Sequence, residues 1–121
     1  MPGASGDSLY ALGKIVRAVE TLATGTGQVR WRVADALTEM TSVREADMPT
    51  EELRSLYKTI IERGTKRSPS PAERKVNGWG SLHATADHTR NSTATKTASL
   101  IVQLEIQLRS ALYEQVPRAG N

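Results

Sequence analysis

The chain has 121 residues, a net charge of +3, no cysteine and no phenylalanine. A single domain with a modest core is expected, and disulfides, thiolate metal sites and cysteine nucleophiles are excluded. Leu100-Ile101-Val102, the longest apolar run near the end, is far short of the ~20 residues of a membrane span. MPGASGDS carries no signal-peptide pattern, so a cytoplasmic location is expected.

The only aromatics are Trp31, Trp79, Tyr10, Tyr57 and Tyr113. Aliphatic side chains must therefore fill the core, which suits helix-on-helix packing. So thin a core leaves surface for a homo-oligomer or an assembly partner to bury. Eleven arginines against five lysines, with abundant Ala and Thr, suit a GC-rich bacterial genome.

Residues 1–6 read as a disordered lead. From Ser8 onward Leu9, Leu12, Ile15/Val16, Val19 and Leu22/Ala23 recur at the spacing of one helical face, and Asp7 or Ser8 is placed to cap its start. Gly13 lowers helix stability by about 1 kcal/mol relative to alanine, which predicts a close helix crossing there. A second stripe runs through Val29, Val33, Ala36/Leu37 and Met40. Between the stripes, Gly25-Thr26-Gly27 predicts a tight helical hairpin: a glycine takes the left-handed terminating position, and Thr26 caps the next helix. A phosphate-binding P-loop is disfavoured, because a helix precedes the glycines and no Lys-Ser/Thr pair follows them.

Asp47-Met48-Pro49-Thr50-Glu51-Glu52 supplies a capping side chain, a proline suited to a first turn and two acids at the positive end of a helix dipole. Leu53, Leu56/Tyr57 and Ile60/Ile61 form the apolar face of that helix, and Arg63 and Gly64 close it. Residues 65–80, TKRSPSPAERKVNGWG, read as a long basic Pro/Gly loop with one helical turn at 72–76; loops of this length are functional or disordered. Residues 81–116 read as helix again, with the stripe Ile101, Leu104, Leu108 and Ala111/Leu112 and an i,i+4 pair Glu105–Arg109. Poor helix propensity in the threonine-rich first half predicts a break near 89–92. Pro117 ends the helix and 117–121 is a tail. The expected fold is all-α: a four- to five-helix antiparallel bundle, one domain over residues 1–121, with the basic loop ahead of its last helices.

The strongest functional cue is the cluster Arg63, Lys66, Arg67, Arg74 and Lys75, interleaved with Ser-Pro-Ser-Pro and followed by Arg90 and Lys96. Each cation suits a phosphate contact with steep salt dependence; a solvated loop explains the same residues without a ligand. Trp79, between two glycines, is either an interface anchor or a plug for a core without phenylalanine. Arg30 and Arg32 point about 160° apart on a helix and make no single patch, and Trp31 between them reads as a core or interface anchor. His83 and Asp87, four apart, offer two metal ligands on one face. With no third His and no Cys, neither a metal nor another cofactor is expected. No Gly-x-Ser-x-Gly elbow or triad is present, and no catalytic residue is nominated.

In length, charge and helical character the chain resembles the small all-helical HEPN nucleases. That family carries an Arg shortly before a His; here Arg90 follows both histidines and Arg74 lies nine residues before His83. The resemblance thus implies a non-catalytic relative, and no residue is carried over. The leading expectation is a non-enzymatic accessory subunit or regulator in a bacterial assembly. It would contact nucleic-acid backbone or an acidic protein through Arg63, Lys66, Arg67, Arg74, Lys75, Arg90 and Lys96. The rival is a protein-only adaptor or antitoxin-like partner using Trp79 and the bundle face.

Overall fold

A computed structural model describes residues 6–114 and is all-helical. Its α-helices are α1 (Gly6–Thr24), α2 (Val29–Glu39), α3 (Glu51–Gly64), α4 (Ser81–Asp87) and α5 (Asn91–Tyr113), with a 3-10 turn at Glu45–Asp47 and a π-type turn at Glu73–Asn77. Residues 1–5, the greater part of the expected lead, and the tail 117–121 lie outside the described residues; Gly6 already opens α1. No helix among the described residues is long and apolar enough to cross a membrane.

Helix α2 is the hub, packing against all four of the other α-helices. It buries Val33, Ala34, Ala36 and Leu37, with Met40 just beyond its end. Helix α5 lays Ala94, Thr97, Ile101, Leu104, Leu108 and Leu112 against this hub and against α1 and α3. Each large aliphatic side chain so buried contributes about 1.5–3 kcal/mol. The Glu105–Arg109 pair forms on the outer side at 2.6 Å, and the expected break falls between α4 and α5, at residues 88–90.

The buried face of α1 is rotated from the one its large side chains suggest. It runs Ser8, Ala11, Ile15, Ala18, Leu22, while Leu12 and Val19 are half-buried and Leu9 is 60% exposed. Small residues in the seam let α1 approach both α2 and α5. Ser8 lies in the first turn of α1, and its buried hydroxyl donates to the Asp47 carbonyl at 2.6 Å. Asp47 in turn does not start α3. Its buried carboxylate accepts from the backbone N–H and the guanidinium of Arg44 at 2.9 and 3.0 Å, which raises the Arg44 pKa above its ordinary value. The cap of α3 is Thr50, which accepts from the Leu53 N–H at 3.2 Å. Tyr57 of α3 donates to the Val43 carbonyl at 2.5 Å, fastening the segment after α2.

The glycines also differ from expectation. A Cβ on Gly13 would meet nothing within 4 Å, so no close crossing exists there. The close approach is at Gly64, buried within the last turn of α3, where a Cβ would overlap the Leu37 side chain. Gly64 is thus a packing residue and not a left-handed terminator. In the first junction the left-handed residue is Gly27, at φ +88°. The residue that enters α2 is Gln28, not Thr26, and its side chain makes no capping bond.

Candidate functional site

The segment from 65 to 80 is fastened to the bundle at several points. The Arg67 N–H donates to the buried hydroxyl of Thr85 on α4 at 2.9 Å. Ser70 and Glu73 bond reciprocally: the Ser70 N–H donates to Glu73 Oε1 at 2.8 Å, and the Glu73 N–H donates to Ser70 Oγ at 3.1 Å. This is a capping box, and it starts the helical turn expected near 72–76. The Ser70 N–H is also the main reason the Glu73 carboxyl is held below its ordinary pKa, with the charges of His88 and Arg67 acting the same way. Gly78, at φ +67°, ends the turn.

Trp79 then returns to α2. Its ring centroid lies 5.6 Å from that of Trp31, and His83 is a second ring neighbour of Trp31, at 6.4 Å. The Arg30 guanidinium lies 5.3 Å from the Trp31 ring centroid, within cation–π range. Both indoles are half-buried, so neither is a core plug and neither stands free; they clasp the segment to the hub helix.

Arg30 and Arg32 do diverge, and each ends a helix. Arg30 Nη1 donates to the Asp87 carbonyl, the last of α4, at 3.0 Å, and Nε donates to Gln28 Oε1 at 2.9 Å. Arg32 Nη1 donates to the Leu22 carbonyl in the last turn of α1 at 2.8 Å, and Nε to the Gly27 carbonyl at 3.2 Å. Cations at helix C-termini meet carbonyls without intrahelical partners and the negative end of the dipole.

Of the seven cations singled out by sequence, three converge. Arg63, Lys66 and Arg90, with His88, Thr89, Thr93 and Thr97, line a cleft of about 300 Å³ between the end of α3 and the α4–α5 junction. No carboxylate lines it. Arg63 is fixed in place: Nε donates to Thr97 Oγ1 at 2.8 Å, and Nη2 to the Thr93 carbonyl at 3.1 Å. Arg74 and Lys75 line a separate groove with Pro69 and Pro71. Arg67 and Lys96 are exposed and line neither.

The histidine pairing differs from the one that spacing suggested. His83 Nε2 faces Asp35 Oδ1 at 3.5 Å. Asp87 instead meets His88, whose Nε2 lies 3.7 Å from Asp87 Oδ2 and 3.9 Å from Glu73 Oε2. Sequence reasoning missed Glu73 and His88. The Ser-x-x-Glu spacing at 70–73 was the available signal for a positioned Glu73; nothing local announces its meeting with His88. Comparison of the chain with protein-family models, with curated proteins and with solved structures finds no match among them.

Proposed function

We propose that this chain is a non-enzymatic helical interaction protein, an accessory subunit or regulator in a bacterial assembly, that holds the backbone of a single-stranded nucleic acid. The observation that carries this reading is the carboxylate-free cleft of Arg63, Lys66 and Arg90. Cations and threonine hydroxyls of this kind position a sugar–phosphate backbone and do not read bases. Binding is therefore indifferent to sequence and steeply dependent on salt.

The test is filter binding of a single-stranded oligonucleotide to the chain at several salt concentrations. Lys66→Ala with Arg90→Ala should weaken binding, and each lost phosphate contact should lower the slope of log K against log salt by about 0.7. Arg67→Ala, Arg74→Ala and Lys75→Ala together measure how far the contact extends along the loop. No salt-sensitive binding by the unaltered chain would overturn the reading; binding of polyglutamate in its place would assign the cleft to an acidic protein.

A second reading, a protein-only adaptor, is supported by the exposed apolar side chains Val102, Ile106 and Tyr113 on α5 and Leu9 on α1. Such side chains suit a protein surface better than a phosphate chain.

A further inference from the structure

We propose that Glu73, Asp87 and His88 form a site for a divalent transition-metal ion, with zinc the best fit. One ligand atom from each residue lies within 4.8 Å of the other two. They come from two elements: Glu73 from the π-type turn, Asp87 and His88 from the end of α4. Spacing within a single helix could not supply this set, which is why a metal was not expected from sequence.

Two of the three ligand-atom spacings are close to those of a zinc site, and the third, between the Glu73 and Asp87 carboxylates, is within 4.8 Å. Zinc bonds of about 2.0–2.1 Å in a tetrahedron place ligand atoms roughly 3.4 Å apart. The His88 Nε2 distances of 3.7 and 3.9 Å exceed that by a fraction of an ångström, which small side-chain rotations can close. Three protein ligands leave a fourth position for water. An imidazole with two carboxylates suits zinc better than magnesium or calcium, which take oxygen ligands.

Two features hold the ligands in advance. The second oxygen of Glu73 is engaged by the Ser70 N–H at 2.8 Å, the kind of outer contact that orients a ligating carboxylate. The Asp87 carbonyl is held by Arg30 at 3.0 Å, which fixes the end of α4 from which Asp87 and His88 project. With His88 neutral, the three side chains carry two negative charges for a dication to balance. The charge of Arg67, which acts on Glu73, opposes the ion and moderates its affinity. A bound ion would fasten the π-type turn to α4. This assignment does not depend on the anion cleft being used.

The experiment is calorimetric titration of the full, tag-free chain with Zn²⁺, repeated with Co²⁺ by visible absorption, with thermal melts in both metals. Saturable one-to-one binding and a rise in Tm are expected, because a ligand held only by the folded chain stabilises it by mass action. His88→Ala and Glu73→Gln should each lower the affinity at least about 10-fold, while His83→Ala leaves it unchanged. Circular dichroism of each variant confirms that it is folded, and all three positions are partly exposed. Absence of saturable Zn²⁺ binding, binding that survives both His88→Ala and Glu73→Gln, or loss with His83→Ala alone would each overturn the site.

Discussion

Two of the junctions between helices, α1–α2 and α3–α4, use their cations in opposite ways. Between α1 and α2 the arginines turn onto the protein: Arg32 meets the carbonyls of Leu22 and Gly27, and Arg30 reaches across to α4. Between α3 and α4 the backbone is held by other means, namely the Thr85 hydroxyl, the Ser70–Glu73 pair and the Trp31–Trp79 contact. There Arg67, Arg74 and Lys75 remain exposed. An arginine within reach of an unpartnered helix carbonyl becomes part of the frame. One beside a turn that is already closed stays available to a ligand.

The largest expected effect lies at the mouth of the second junction, where Gly64 at the end of α3 is pressed against Leu37 of the hub helix. Leu37→Ala should cost about 2–5 kcal/mol by opening a cavity. Gly64→Ala should cost about 1–3 kcal/mol through overpacking, against a gain of about 1 kcal/mol in helix propensity. Combined, the two should cost less than their sum, because the added methyl enters the space that leucine vacates; a denaturant double-mutant cycle measures the coupling. Strict additivity would show that Gly64 and the Leu37 side chain are not pressed together, and that the entrance to the second junction is not framed by this contact.

Arg32→Ala comes next, at about 1–3 kcal/mol for the loss of charge-assisted bonds to the Leu22 and Gly27 carbonyls. The triple variant of Arg67, Arg74 and Lys75 to alanine should stay within about 0.5 kcal/mol of the parent chain. Equal thermal shifts for the two variants would erase the distinction between a framing and an available arginine.

A smaller effect, of about 1 kcal/mol, is expected from Tyr57→Phe, which removes the hydrogen bond to Val43. Burial, followed by the charges of Asp47 and Glu45, raises the Tyr57 pKa above its ordinary 10.0. The folded chain therefore holds this proton more tightly than the unfolded chain. Stability is fully present below pH 10.0 and falls as pH rises through the raised value. Urea melts across that alkaline range should show the decline in the parent chain and a flatter profile in Tyr57→Phe, placing the alkaline limit in the core and outside both junctions.

The helices were legible where large aliphatic side chains keep a 3.6-residue period, as at Ile101, Leu104 and Leu108. They were misread where the seam is made of small residues. In α1 the buried positions include Ser8, Ala11 and Ala18, and the eye follows Leu9 to the solvent side. Glycine carried no label for its reason: Gly13 faces open space, whereas Gly64 is pressed against Leu37. In the candidate cleft, the cations were visible as a cluster, but the convergence of Arg63 and Lys66 with Arg90 depends on how α3 packs against α5. The meeting of Glu73 with His88 likewise depends on a loop returning to a helix end. No period in the sequence encodes either.

The clasp between the basic segment and the hub helix has an optical consequence. Trp31 and Trp79 are the chain's only two indoles, and their centroids lie 5.6 Å apart. Neighbouring chromophores at that distance couple their transitions, so the pair contributes an exciton signal to circular dichroism that vanishes once the rings part. Any ligand, ion or partner that lifts the segment from α2 would be read directly from the unlabelled protein, in a signal to which no other part of the chain contributes an indole.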